Sequence, residues 1–220
     1  MSASLQCEVS IPSGAVMLPG TLDVPQRGQG IVVFSHGSGS SRHSPRNTYV
    51  AGILRDAGIA TLLLDLLTPD EDADPEARFD IGLLTERLGD AVRFVNRNAA
   101  TCSLRVGLFG ASTGAASALR LAAEMPGSIC AVVSRGGRPD LAGDQMLPLV
   151  RAPTLLIVGG EDREVVALNR AAARYLQCDQ SLAVVPGASH LFEETGTLDQ
   201  VAMLAREWFA RHLVRIPARA

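Results

Sequence analysis

The chain contains no lysine, although it has 220 residues and 20 basic side chains, all of them arginines. This absence excludes a Schiff base on a lysine side chain, and it excludes a phosphate-binding P-loop, which requires a lysine. The formal net charge is −3, so the chain lacks the basic excess that nucleic-acid-binding proteins carry. We therefore expect no nucleic-acid partner.

Cysteines are few and far apart, and their spacing fits neither a zinc site nor a disulfide framework. Residues 1–20 lack the basic start and apolar run of a secretory signal. No apolar stretch approaches the roughly 20 residues that are needed to span a bilayer. We expect a cytoplasmic protein without a metal or a membrane contact, whose thiols stay reduced at Cys7, Cys102, Cys130 and Cys178.

Short apolar runs alternate with longer amphipathic segments from about residue 30 onward. Near-continuous apolar runs are typical of strands that are buried on both faces of a parallel sheet. The pattern predicts strands at 31–35, 60–65, 105–109, 130–134, 154–158 and 182–185, and helices at 46–57, 81–98, 113–125, 165–176 and 198–213. This order predicts an α/β fold with a doubly wound, mostly parallel sheet, in one domain that spans residues 1–220.

Two segments do not follow this alternation. Residues 5–11 and 15–24 flank the turn-forming run Pro-Ser-Gly and predict an antiparallel hairpin at the edge of the sheet. Residues 68–80 are acidic and contain proline, and they lie between a predicted strand and a predicted helix. We interpret 68–80 as a surface loop that is too short to form a cap domain.

A candidate nucleophile lies at the end of the third predicted strand of the alternating region. Residues 110–114 read Gly-Ala-Ser-Thr-Gly and match the pattern G-x-S-x-G between a buried strand and a small-residue helix. In that context, the serine occupies a sharp turn that exposes its hydroxyl above the sheet, and the glycines prevent crowding. The alternative is a serine that caps a helix. We predict that Ser112 is a catalytic nucleophile.

One of the four histidines lies where a general base is expected. His190 follows the last predicted strand and comes after Ser112 in the chain, as the base does in enzymes with this elbow. His36 ends the first strand of the alternating region, His43 lies in a polar loop and His212 lies in the last predicted helix. We therefore predict that His190 is the base.

Three acidic residues compete for the role of orienting the base. Asp162 follows the strand at 154–158 through Gly-Gly-Glu, at the carboxyl edge of the sheet where active-site groups gather. Asp140 follows the preceding strand to the same edge, and Glu161 is the direct neighbour of Asp162. Chain order and the short distance from the strand end favour Asp162, although an aspartate there also suits a helix cap.

Backbone N–H groups near the serine are candidates for binding the oxyanion of a tetrahedral intermediate. The glycine-rich turn His-Gly-Ser-Gly-Ser at 36–40 follows the first strand of the alternating region, and the N–H of Ser38 is expected to face that of Thr113 across the site. Losing one such donor typically costs about 10²–10³ in rate. The alternative is an ordinary tight loop.

The chain resembles the α/β-hydrolase superfamily, and within it the small dienelactone hydrolase-like group. The resemblance rests on His-Gly at 36–37, the elbow at 110–114, Gly-Gly-Glu-Asp at 159–162 and Gly-Ala-Ser-His at 187–190. It implies hydrolysis of small esters or lactones by a nucleophile–His–Asp triad without a cofactor. One departure is that dienelactone hydrolases proper use cysteine, whereas position 112 is serine, which favours a general carboxylesterase.

Other functions fit parts of the pattern. Gly-Ser-Gly at 37–39 imitates a dinucleotide-binding turn, but Arg42 occupies the place of its third glycine. A non-catalytic scaffold of this fold usually lacks a triad member. A thioesterase or an organophosphate hydrolase would use the same triad.

Four arginines lie in or beside turns near the carboxyl edge of the predicted sheet. Guanidinium groups bind carboxylate or phosphate groups in a bidentate manner, so these side chains are candidates for an anionic-substrate site. The alternative is that they are solvated or form structural ion pairs. The candidates are Arg42, Arg46, Arg135 and Arg138. The sequence leaves the oligomeric state open.

Overall fold

The structure, a computed structural model, describes residues 5–213 and contains one mixed sheet in that range. Its strands are β1 Leu5–Ser13, β2 Val16–Val24, β3 Ile31–Ser35, β4 Ala60–Leu64, β5 Val106–Ala111, β6 Ile129–Arg135, β7 Thr154–Gly159 and β8 Gln180–Val185. They lie in the order β1-β2-β4-β3-β5-β6-β7-β8. From β4 to β8 all neighbours pair in parallel, whereas β1 and β2 pair antiparallel with each other and β2 pairs antiparallel with β4.

Helices connect the parallel strands and cover both faces of the sheet. They are α1 Pro45–Asp56, α2 Pro69–Ala73, α3 Pro75–Phe79, α4 Ile81–Arg97, α5 Thr113–Glu124, α6 Arg163–Ala173 and α7 Thr197–Leu213, with 3-10 turns at Pro139–Ala142 and Leu147–Leu149. The predicted α/β fold is therefore confirmed. Every predicted strand and helix forms, and their ends differ from the prediction by a few residues at most.

The N-terminal hairpin also forms where the sequence predicts it. β1 and β2 pair along their whole length, and Gly14, with φ of +56°, makes the turn between them. β2 then pairs with β4 over residues 20–23, so the hairpin extends one edge of the sheet. Between residues 5 and 213, no helix is long and apolar enough to cross a membrane.

The prediction of a surface loop at 68–80 is wrong, because this segment forms the short helices α2 and α3. Thr68 and Glu71 make a reciprocal capping box, in which each side chain accepts from the other residue's backbone N–H. Asp74 caps α3 with a single hydrogen bond, in which its side chain accepts from the N–H of Glu76. The Thr-Pro-Asp-Glu sequence at 68–71 is a helix-start signal.

Two apolar layers hold the helices against the sheet. Alternate side chains of β3 point into opposite layers, so that Val33 packs with α4 and α5 while Phe34 packs with α1 and α7. In the second layer the buried ring of Phe209 lies on Gly107 in the middle of β5, where an added Cβ would come within 2.7 Å of the ring. The absence of a side chain at Gly107 therefore lets α7 pack closely against β5, the strand that leads to Ser112.

We expect Phe209→Ala to lower the free energy of unfolding by about 3–5 kcal/mol, because it leaves a cavity between α7 and β5. Phe79→Ala is the matched control, because that phenylalanine is 57% exposed and its removal should change stability by less than about 0.5 kcal/mol. Urea unfolding of both variants measures the difference. Equal losses in the two variants would contradict the packing described here.

Candidate active site

The candidate nucleophile occupies a strained turn between β5 and α5. Ser112 has φ of 52° and ψ of −119°, a backbone conformation that non-glycine residues seldom adopt. An added Cβ at Gly110 would lie 2.4 Å from Cα of Ala115, and one at Gly114 would lie 2.3 Å from the carbonyl oxygen of Ser35. These distances are too short for any side chain. Both glycines of the predicted elbow are therefore required by close backbone packing.

The loops after β7 and β8 bring the predicted acid and base together. The N–H of Gly160 donates to the carbonyl of Val185 at 2.8 Å, and the N–H of Glu161 donates to that of Ala188 at 3.0 Å. Gly159 permits this approach, because a Cβ there would lie 2.4 Å from the carbonyl oxygen of Ala188. The two loops are thus held to each other by their backbones at the carboxyl edge of the sheet.

His190 and Asp162 are joined directly by a hydrogen bond. Nδ1 of His190 lies 2.6 Å from Oδ2 of Asp162. Because a carboxylate only accepts, Nδ1 carries the proton and Nε2 is left as the acceptor that faces away from the acid. Nε2 is therefore free to accept a proton from a neighbouring hydroxyl.

The other two acidic candidates, Asp140 and Glu161, make no hydrogen bond to His190. Asp140 forms a two-pronged ion pair with Arg138, with distances of 2.7 and 2.9 Å. Glu161 is exposed. Asp162 lies at the N-cap of α6, but its side chain makes no capping hydrogen bond. The predicted contact between Asp162 and His190 is therefore present, and a helix cap does not explain it.

The other histidines do not reach this site. His36 is buried, where its Nδ1 donates to the carbonyl of Gly37 and its Nε2 accepts from the N–H of Leu66, both at 3.0 Å. Burial lowers the pKa of this imidazole, so it stays neutral and links two loops. His43 is exposed. His212 packs against the Trp208 ring, and partial burial lowers the pKa of its side chain.

The predicted oxyanion donors differ in their availability. The N–H of Ser38 already donates to Oγ1 of Thr113 at 2.9 Å. The Thr113 side chain therefore occupies this donor in the structure, and the assignment of the Ser38 N–H to the oxyanion stays a prediction. Gly37 lies beside Ser112, where an added Cβ would be 3.1 Å from Cβ of Ser112.

A small cavity connects the serine and the histidine. Its volume is about 200 Å³, which is below the roughly 300–1,000 Å³ of pockets that enclose drug-sized ligands. Its lining residues are Gly37, Ser38, Ser40, Arg46, Asn47, Ala111, Ser112, Arg135, His190 and Leu191. The site therefore suits a small substrate, and two of the four predicted arginines line it.

Sequence reasoning missed the residues that fix the histidine loop. Oε2 of Glu194 accepts from the N–H of Ser189 at 3.0 Å, directly before His190. Gly136, with φ of +51°, lies under the imidazole, and an added Cβ would be 3.5 Å from its Cε1. No short sequence motif marks Glu194 or Gly136, because their contacts depend on where the end of β6 meets the loop between β8 and α7.

Among the described residues, no group of histidine, cysteine or carboxylate side chains could hold a metal ion.

Comparisons with known proteins agree with this architecture. The dienelactone hydrolase of Anabaena variabilis ATCC 29413 is 53% identical, has a TM-score of 0.93, and is matched over all of its chain and 96% of this one. Est1E from Butyrivibrio proteoclasticus is 16% identical with a TM-score of 0.80, over 93% of this chain and 98% of its own, and shows the shared fold. No family model matches the sequence.

Curated relatives give a second view. Proteins of two Mycobacterium tuberculosis strains, named putative phosphoribosyl transferases, are 56% identical over 206 residues, which are 94% of this chain and 46% of theirs. The chain thus spans about half the length of these relatives. A probable 2-oxo-3-(5-oxofuran-2-ylidene)propanoate lactonase of Bradyrhizobium is 27% identical over 172 residues, 67% of this chain and 69% of its own.

The fold, the elbow and the close structural match define an α/β-hydrolase. Within that superfamily the chain belongs to the dienelactone hydrolase-like group.

The elbow glycine offers a direct test of the site's architecture. We expect Gly114→Ala to lower the free energy of unfolding by at least about 2 kcal/mol, because its Cβ would overlap the backbone of β3's last residue. Gly127→Ala is the matched control, because no atom lies within 4 Å of an added Cβ there. Urea unfolding measures both variants, and full stability in Gly114→Ala would refute the close packing.

Proposed function

We propose that the protein cleaves carboxylic ester or lactone bonds of small substrates through an acyl-enzyme on Ser112. The observation that carries this proposal is the hydrogen bond of 2.6 Å between His190 and Asp162, beside a cavity that Ser112 and His190 both line. The strained backbone of Ser112 adds support, because such strain persists where a structure holds a residue for function.

The proposed first step forms the bond between Oγ of Ser112 and the carbonyl carbon of the substrate. Nε2 of His190 takes the hydroxyl proton as that bond forms, and the carbonyl π electrons move to the oxygen. Asp162 accepts from Nδ1–H, which keeps the imidazole in the required tautomer and stabilises the imidazolium. The 17% exposure of the Asp162 side chain limits competition from water for this hydrogen bond.

In this proposal two backbone N–H groups stabilise the oxyanion, one at the amino end of α5 and one in the loop after β3. The N–H of Thr113 is the first proposed donor, and the N–H of Ser38 joins it when the Thr113 side chain turns away from its present hydrogen bond. The alcohol then leaves with the proton from Nε2 of His190. A water molecule repeats the sequence on the acyl-enzyme and releases the acid.

The relatives support esters and lactones over other acyl substrates. The Anabaena relative is a dienelactone hydrolase and the Bradyrhizobium relative is named a probable lactonase. The transferase name of the Mycobacterium relatives gives no second function here, because the matched part covers less than half of each. The alternatives are a thioesterase, an organophosphate hydrolase and a non-catalytic scaffold. Rates of hydrolysis on a panel of nitrophenyl esters, lactones and thioesters distinguish an ester hydrolase from these alternatives.

Ser112→Ala should reduce kcat for ester hydrolysis by on the order of 10⁶, since it removes the nucleophile. A fluorophosphonate probe should label the wild-type protein on the peptide that contains Ser112. Ser181→Ala, on the exposed edge strand β8, is the matched control and should keep full activity. Undiminished hydrolysis or unchanged labelling in Ser112→Ala would disprove the assignment.

Asp162→Asn should lower kcat by roughly 10⁴, because an amide favours the wrong imidazole tautomer. Asp140→Asn is the matched control, since Asp140 pairs with Arg138 and does not touch His190. Its kcat should stay close to that of the wild type. A larger loss in Asp140→Asn than in Asp162→Asn, measured under saturating substrate, would reverse the choice of acid.

A further inference from the structure

Arg135, the last residue of β6, carries a buried charge that has no partner among residues 5–213. Its side chain lines the active-site cavity, and the residue is only 7% exposed. Neither Nε nor Nη1 makes a hydrogen bond within the described chain, and the guanidinium carbon lies 5.9 Å from the centroid of the Phe192 ring. A buried charge is costly unless an opposite charge accompanies it. An anionic ligand would supply that charge.

A second arginine reaches the same cavity. Nη1 of Arg46 lies 3.2 Å from Oε1 of Glu193, whose side chain is 64% exposed. Nε of Arg46 is buried and has no hydrogen-bond partner among residues 5–213. Burial, together with the charge of Arg46, lowers the pKa of Arg135 to about 10. Because that value is still well above neutral pH, Arg135 keeps its proton there. The cavity therefore holds two cations close enough to repel each other.

None of the described residues that line the cavity is acidic. Glu193, which pairs with Arg46 at 3.2 Å, lies outside that lining, and its side chain is mostly exposed. Arg46 lies in the first turn of α1, whose amino end adds positive potential. Two guanidinium groups and a helix amino end thus converge beside Ser112.

The other two arginines predicted for an anionic site show the contrast. Arg42 pairs with Asp65 at 2.5 Å, and Arg138 pairs with Asp140 at 2.7 Å. Both charges are neutralised by carboxylates of this chain. Arg135 therefore differs from Arg42 and Arg138, because no carboxylate of the described chain pairs with its guanidinium group.

We propose that Arg135 and Arg46 form a subsite for a phosphoryl group, so that the preferred substrates are small esters that carry a phosphate beside the scissile bond. The choice of substrate rests on the proposed ester hydrolysis, whereas the binding of the anion does not.

A phosphoryl group matches the charge of this subsite better than a carboxylate does. Nε and Nη1 of Arg135 and Nε of Arg46 have no hydrogen-bond partner among residues 5–213. A phosphate monoester carries about two negative charges near neutral pH, one for each guanidinium group, and its three terminal oxygens accept hydrogen bonds. A carboxylate has two oxygens and one charge.

Binding is tested without catalysis in the Ser112→Ala protein, by calorimetric titration with inorganic phosphate and, separately, with acetate. We expect phosphate to bind more tightly than acetate, and Arg135→Met in the same background to weaken phosphate binding at least about tenfold, as expected for loss of charge-assisted hydrogen bonds. Arg97→Met removes an exposed arginine and is the matched control. Absence of phosphate binding, or tighter binding of acetate, would overturn the phosphoryl subsite.

Thermal unfolding separates a binding role from a structural one. If Arg135 is held for a ligand, Arg135→Met should melt no lower than the wild type without phosphate, because it removes an unpaired buried charge. Phosphate should raise the melting temperature of the wild type and of Arg97→Met but not that of Arg135→Met. A lower melting temperature in Arg135→Met, with no phosphate effect on the wild type, would show a structural role and contradict the proposal.

Substrate preference is tested with three acetate esters that share the same acyl group: 2-acetoxyethyl phosphate, 3-acetoxypropanoate and the neutral 2-methoxyethyl acetate. We expect kcat/KM to favour the phosphate ester over the neutral ester by at least about tenfold. The control Arg97→Met should keep this preference and the rate on the neutral ester, whereas Arg135→Met should lose more activity on the phosphate ester than on the other two. Preference for the carboxylate ester, or an equal loss on all three, would overturn the subsite. If no ester is hydrolysed while phosphate still binds, the proposed function fails and the anion site stands.

Discussion

The close approach of the elbow to the end of β3 is the constraint on which the rest of the site depends. The backbone between β5 and α5 passes so near to Ser35 that only glycine fits at position 114, and in the same turn Ser112 has a positive φ of 52°. A wider turn would move the hydroxyl away from the loops that follow β7 and β8. The strain is maintained by two packed layers, which hold β5 and α5 in place.

A parallel sheet explains why residues far apart in sequence meet at this elbow. β5, β7 and β8 end at the same edge, and the backbone hydrogen bonds of Gly160 and Glu161 join the last two loops. The short contact between His190 and Asp162 follows from that junction. The fold therefore orients the imidazole of His190, the predicted base, toward Asp162.

The alternation of apolar runs and the elbow pattern were sufficient to predict the sheet, its hairpin and the pairing of His190 with Asp162. Two kinds of feature were not predictable in this way. The helices at 68–80 depend on the capping box of Thr68 and Glu71, a local signal that outweighs the acidic, proline-containing composition. The hydrogen bond from Ser38 to Thr113 and the ion pairs of Arg42 and Arg138 depend on tertiary distances. For the same reason, the sequence could not distinguish Arg135 from the other three arginines.

Trapping of the acyl-enzyme tests the central claim most directly. Rapid acid quenching of the protein during turnover of an activated acetate ester, followed by peptide mass analysis, measures where the acyl group resides. The expected result is one acetyl group on the peptide that contains Ser112, which forms before steady state and disappears when the ester is exhausted. Hydrolysis that proceeds with the acetyl group on another residue, or with no acylated peptide at any time, would contradict it.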